Sequence, residues 1–352
     1  MSSIRNQPRP QAASLLAVLA LLVILASTMA PTPASAQDAT PRLPVIELVK
    51  DDSGTRLQVD GEDIMVLGVN WDYFPVGTTY NYSFWTEPDH IIEAALEREM
   101  SLLKAMGGNA IRAYVGITPH WVRYIYEKYG IYTVLNHALA RYGVTVGGVF
   151  NANTDYSDPR ARAVVMAEIE EMVNAFKDTP GVLMWLLGNE NNYGLVWSSA
   201  ETEDLPAGEA DAYRARHMYS LFGDVAKRIK EMDPTRPVAM ANGDLQYIDI
   251  IAEEVPDLDV FGTNVYRGIS FGDLFQEVHD KLDRPVMFTE FGADVWDAKN
   301  MREDQVVQAK YLIEQWREIY EQSAGKGMVG NSIGGLTFQW SDGWWKFGQE
   351  SR

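Results

Sequence analysis

Apolar residues follow two rhythms along this chain. Short unbroken runs recur, such as Val-Leu-Met-Trp-Leu-Leu at 182–187 and Pro-Val-Met-Phe-Thr at 285–289. Runs of this length read as strands buried on both faces. Eight are predicted, at 65–70, 110–114, 144–150, 182–187, 237–241, 260–264, 285–289 and 334–339. Between them, apolar residues recur at helical spacing. Ile169, Met172, Val173 and Phe176 follow i, i+3, i+4, i+7, and so do Ala309, Leu312, Ile313 and Trp316. Met218, Leu221, Val225 and Ile229 are similarly spaced.

Eight strands, each but the last followed by a helix, predict an α/β fold of the (β/α)8 barrel type. A doubly wound open sheet is the rival. It usually carries a Gly-rich phosphate loop after its first strand, where this chain has Gly68-Val69-Asn70-Trp71-Asp72-Tyr73-Phe74. Segments 45–49 and 56–59 flank Asp51-Asp52-Ser53-Gly54, which predicts a β-hairpin ahead of the barrel. After the eighth strand only 341–352 remain, too few for a full closing helix, so helix eight is expected to be absent.

Two of the apolar runs stop at carboxylates, Glu190 in Gly-Asn-Glu and Glu290 in Thr-Glu-Phe-Gly. In a barrel the C-terminal strand ends open into one mouth. By strand count, Glu190 follows the fourth strand and Glu290 the seventh, so their carboxyls can meet as an acid/base and nucleophile pair. A gap of about 5–5.5 Å suits retention at a sugar's anomeric carbon, and about 6.5–9.5 Å suits inversion. Arg112 at the end of strand two and Tyr266 after strand six are expected to hold Glu290 ionised by charge and hydrogen bonding. Glu190 then needs a raised pKa to act as the acid. Asn189 and Asn264 are candidate sugar ligands. The mouth loops are rich in aromatics, with Trp71, Tyr73, Phe74, Tyr80, Trp340, Trp344 and Trp345 among them. Such rings pack against pyranose C–H faces. Trp121, Trp185 and Trp316 read as packing residues.

Composition narrows the setting. Arg5 and Arg9 precede an apolar stretch, and Ala34-Ser35-Ala36 offers a cleavage site, so residues 1–36 read as a secretory signal and 37–44 as a disordered leader. The apolar stretch falls short of the ~20 residues a spanning helix needs, so stable membrane insertion is not expected. Cleavage after Ala36 removes two Arg and no acid, and the net charge falls from −19 to −21. That surface disfavours nucleic acid as a partner. The chain has no cysteine, so no disulfide supports the exported core. The five histidines form no H-x-H or H-E-x-x-H, and no metal or other cofactor is expected.

The motifs together resemble the clan A glycoside hydrolases, nearest the catalytic barrel of family 2. The carriers are Gly188-Asn189-Glu190, Thr289-Glu290-Phe291-Gly292, Arg112, Asn264-Val265-Tyr266 and Trp340, within a likeness covering about residues 64–345. The resemblance implies Glu190 as acid/base and Glu290 as nucleophile, with Tyr266 orienting it and Trp340 flooring the subsite of the reacting sugar. It implies retaining hydrolysis of a β-linked oligo- or polysaccharide, such as a β-glucan or related glycan. The hairpin stands where family 2 galactosidases and glucuronidases carry β-sandwich domains. The opening with Gly68-Val69-Asn70 is also similar to fungal β-1,3-glucanosyltransferases. Transglycosylation is therefore an alternative activity, and a non-catalytic glycan-binding barrel is the alternative outside enzymes.

Overall fold

The structure is a computed structural model that describes residues 42–344 and Lys346. The expected signal segment, residues 37–41 of the expected leader, and Trp345 lie outside the described residues.

Eight parallel strands form the barrel: β1 (Val66–Asn70), β2 (Ala110–Ala113), β3 (Tyr132–His137), β4 (Val182–Leu187), β5 (Val238–Met240), β6 (Phe261–Val265), β7 (Val286–Phe291) and β8 (Ser332–Thr337). Their order is β5-β4-β3-β2-β1-β8-β7-β6, and Asn242–Gly243, just beyond β5, pair in parallel with β6 and close the ring. The crossover helices are α1 (Asp89–Ala105), α2 (Pro119–Tyr129), α3 (Pro159–Phe176), α4 (Ala207–Met232), α5 (Ile248–Glu254), α6 (Leu274–Leu282) and α7 (Gln305–Glu321). Among the described residues no helix follows β8.

The hairpin ahead of the barrel has a third strand. Ile46–Asp51, Gly54–Val59 and Glu62–Ile64 form one antiparallel sheet. Its Ile46, Leu57 and Val59 join Val66, Ala110, Val134, Met184 and Leu336 in the apolar cluster of the barrel interior. Trp185 and Leu187 of β4 instead join the cluster under the helices, as alternation along a strand requires. Trp185 is fully buried and donates from its indole N–H to Asp233, which also pairs with buried Arg236.

Two sequence expectations need correction. The third strand is Tyr132–His137, not 144–150. It starts two residues after Gly130, whose left-handed backbone (φ 70) ends α2. Val144–Val146 and Val149–Asn151 make a small antiparallel hairpin on the loop after β3. Its two-residue turn is Gly147-Gly148, both at positive φ (58 and 82), as a primed turn demands. One strand replaced another, so Glu190 and Glu290 keep their ordinal places. The apolar stripe on α7 is also rotated. Ile313 is 57% exposed, while Gln315 and Ile319 are buried. Gln315 donates to the carbonyls of Gly268 and Gly292, so a polar side chain ties α7 to the loops after β6 and β7.

Candidate active site

The turn after β4 aims Glu190. Gly188 has φ 78, and a Cβ there would lie 2.7 Å from both Asn191 Oδ1 and the Phe222 ring, so no side chain fits. Glu190 itself is left-handed, at φ 55 and ψ 37. That conformation costs a non-glycine residue about 1–2 kcal/mol. Backbone contacts hold it there. Glu190 N–H donates to the Ala241 carbonyl (2.9 Å), and its own carbonyl accepts from Arg141 Nε (3.0 Å) and Tyr193 N–H (3.0 Å). Asn191 braces the turn, accepting from Asn189 N–H (2.8 Å) and donating to the Tyr156 hydroxyl (2.9 Å).

Glu290 lies within β7 rather than beyond it, and is buried. Three side chains donate to its carboxylate: Arg112 Nη1 (2.9 Å) and the Tyr114 hydroxyl (2.6 Å) to Oε1, and the Tyr266 hydroxyl (3.1 Å) to Oε2. Arg112 is wholly buried and its fork is filled. Nε and Nη2 donate to Asn136 Oδ1 (2.9 and 2.7 Å), and Nη2 also to Asn189 Oδ1 (2.8 Å). Below this network, Asn70 Nδ2 donates to the carbonyls of Thr289 (3.0 Å) and Leu336 (3.1 Å).

Glu190 and Glu290 line one cavity of about 490 Å³, together with Asp72, Phe74, Tyr80, Tyr114, Tyr142, Asn189, Phe338 and Lys346. Their environments differ. Burial raises the Glu190 pKa above the ordinary glutamate value, and the Glu290 charge adds to it; the Asn264 amide (3.2 Å), Arg141 and Arg112 oppose it. Burial also raises the Tyr114 and Tyr266 hydroxyls, so both are protonated donors toward Glu290. One carboxyl is thus surrounded by donors, while its neighbour holds its proton to higher pH than an ordinary glutamate. That division is the one acid and nucleophile roles require.

Residues 89–331 match the family described as glycosyl hydrolases family 2, TIM barrel domain. The chain belongs to that family. Among curated relatives, a β-galactosidase of Photobacterium profundum is 25% identical over 190 residues, which are 53% of this chain and 14% of that protein. A β-glucuronidase of Streptococcus agalactiae is 30% identical over 227 residues, 57% of this chain and 33% of that protein. The chain therefore spans a third or less of the length of these relatives. The fold recurs in a β-glucuronidase of Bacteroides uniformis (TM-score 0.59, 16% identity, 84% of this chain and 32% of that one). It recurs also in a family 2 β-galacturonidase of Eisenbergiella tayi solved with galacturonate (TM-score 0.56, 17% identity, 88% and 49%).

In this family 2 barrel the residues singled out from sequence do not all reach the cleft. Glu190, Glu290 and Asn189 line it. Tyr266 touches Glu290, and buried Asn264 spans Asn189 and Glu190. Arg112, expected among the substrate ligands, is 0% exposed and supports Glu290 and Asn189 instead. Trp340 is directed away: its indole N–H bonds Glu99 on α1, and Phe338 lines the cleft. Trp71 is also core, 2% exposed and packed with Tyr73, Phe84 and Trp85. Trp344 donates to the Phe74 carbonyl beside the cleft (3.1 Å).

Sequence reasoning passed over Asn70, Tyr114, Asn136, Tyr142 and Phe338. Two of these had a signal. Tyr114 lies two residues past Arg112, on the same side of an extended segment. Asn136 is the next-to-last residue of the run Tyr-Thr-Val-Leu-Asn-His, a strand pattern that follows a helix-ending glycine.

Proposed function

We propose that this chain is a retaining β-glycoside hydrolase acting on a β-linked oligo- or polysaccharide. The observation that carries the reading is the unequal treatment of two carboxyls in one cleft: three donors on Glu290, and a raised pKa on Glu190. Glu290 attacks the anomeric carbon while the Glu190 proton passes to the departing glycosidic oxygen. The C–O bond breaks and a glycosyl ester forms on Glu290. Glu190, now a carboxylate, takes a proton from water as that water attacks the same carbon, and Glu290 leaves as the carboxylate.

The curated relatives are named galactosidases and glucuronidases, which leaves both neutral and acidic sugars as substrates of the proposed reaction. The leader pattern at 1–36 supports export, to the periplasm or the medium. Among the described residues no helix is long and apolar enough to cross a membrane.

The test is covalent trapping with a panel of 2-deoxy-2-fluoro-β-glycosyl fluorides. A glycosyl adduct on the peptide containing Glu290 is expected, together with loss of most turnover in Glu290→Gln and Glu190→Gln. Turnover that survives Glu290→Gln, or an adduct on another residue, would overturn the assignment. Tight glycan binding without turnover or adduct would favour the non-catalytic barrel.

A further inference from the structure

Among the described residues, Asp72 adds a third carboxyl to the cavity that holds Glu190 and Glu290. It stands two residues past β1, at the barrel mouth. Unlike the two glutamates, it makes no hydrogen bond and no ion pair among the described residues. A part-buried carboxyl without a hydrogen-bond donor among the described residues is costly to keep, and burial pushes its pKa up to about 6. Its acceptor oxygens are available to a ligand.

The cations nearby do not leave room for an acidic sugar. Arg112 lies behind Glu290, fully buried, with its nitrogens engaged by Asn136, Asn189, Asn70 and Glu290. Lys346 lies 4.5 Å over the Phe338 ring, and its charge opposes that of Asp72. A uronate carboxylate in this cavity would meet Asp72 and Glu290, with Arg112 and Lys346 already opposed and Arg141 engaged by the Glu190 carbonyl. Like-charge juxtaposition in a desolvated site costs several kcal/mol. A neutral sugar instead offers hydroxyl donors to an acceptor that lacks them. The acidic chain as a whole, at −19, works in the same direction by repelling anionic glycans.

We infer that Asp72 is a specificity-determining residue that accepts hydrogen bonds from hydroxyls of a neutral sugar and excludes uronic acids. The inference rests on the hydrolase reading above. It decides between the neutral and acidic sugars that the named relatives leave open.

The full chain and Asp72→Asn are compared on 4-nitrophenyl β-glucoside and β-galactoside and on the matching β-glucuronide and β-galacturonide. The assay is run at about pH 7.5, where Asp72 is ionised. Wild type should favour a neutral glycoside over its uronide by about 100-fold or more in kcat/KM. Asp72→Asn should lose about 10- to 100-fold on the neutral substrate, the worth of a charge-assisted hydrogen bond. It should lose little on the uronide, so the preference narrows at least about tenfold. A merely structural role would lower both classes together, and that result overturns the inference. A wild-type preference for uronides overturns it too, while leaving the hydrolase reading intact. No turnover on any substrate, with no fluoroglycoside adduct on Glu290, overturns both.

Discussion

Arg112 offers the sharpest test of how the site is held. It is 0% exposed and carries the ionic contact to Glu290 at 2.9 Å. Replacing it with Met keeps most of the side-chain volume and removes the charge. Glu290 would then sit as a buried carboxylate without its cation, a change that costs about 3–5 kcal/mol. Asn136 Oδ1 and Asn189 Oδ1 also lose donors, at about 1 kcal/mol or more each where water cannot replace them. The expected loss is therefore about 5–7 kcal/mol, a large share of the roughly 5–15 kcal/mol that stabilises a typical domain. In a Glu290→Gln background the same Arg112→Met change strands no anion, so it should cost about 2–3 kcal/mol less. The four proteins of this cycle can be compared by urea unfolding, followed through tryptophan fluorescence. Arg112→Lys belongs in the series: it keeps the charge but not the planar fork, and should fall between wild type and Met. A coupling below about 0.5 kcal/mol would show that Arg112 acts on Glu290 no more than on its other neighbours. It would remove Arg112 as the charge that opposes the Glu290 carboxylate.

Tyr114→Phe deletes one donor to Glu290 with little change in volume, and kcat/KM should fall about 10- to 100-fold while the melting curve stays close to wild type; an unchanged rate would place Tyr114 outside the machinery. Because burial raises the Glu190 pKa, the alkaline limb of the kcat/KM profile should lie above the ordinary glutamate range and disappear in Glu190→Gln, whose residual rate is measured on a substrate with an activated leaving group. The same shift fixes a stability trend. Folded Glu190 holds its proton to higher pH than the unfolded chain does, so its contribution to stability falls as pH rises from the unfolded value through the folded one. Phe338→Ala should raise KM, since Phe338 lines the cleft, whereas Trp340→Phe should lower the melting temperature through loss of the Glu99 contact and leave KM nearly unchanged; the reverse pattern would restore Trp340 to the cleft.

The barrel was legible because its strands advertise themselves locally. Glu190 and Glu290 could be ranked by counting, and the count survived the mistaken third strand because the hairpin at 144–151 and the true β3 fall in the same interval between α2 and α3. Side-chain direction was not legible in the same way. Trp340 and Phe338 are two residues apart on the segment after β8, and sequence alone does not say which of them faces the cleft. Trp71 follows β1 by one residue and turns into the aromatic cluster, while Asp72 beside it lines the cavity. Period two separates such neighbours, but the phase is set by the backbone as it leaves the sheet. Tyr142 escaped notice for a different reason. Its hydroxyl accepts from Asn189 Nδ2 across a separation of 47 residues, a contact that exists only once the loops after β3 and β4 meet.

The same argument explains the asparagines. Toward the mouth the register between neighbouring strands shifts, between β6 and β7 and again between β7 and β8. Backbone carbonyls buried at such irregularities still need donors. Asn70 on β1 supplies them to Thr289 on β7 and Leu336 on β8, and Asn136 on β3 supplies them to Leu186 on β4 and to Gly188 just beyond it. Those two side chains also accept from the Arg112 guanidinium, at 3.3 Å to Asn70 and 2.7 Å to Asn136. The residues that satisfy these carbonyls at the mouth end of the barrel are therefore the residues that fix the group holding Glu290. A substitution that loosens this layer at Asn70 or Asn136 moves Glu290 as well, because Arg112 reaches it across 178 residues of chain only when the ring is closed. The geometry of the proposed reaction depends on a polar layer shared by six strands, in which Glu290 is the acceptor that the proposed step converts from anion to ester.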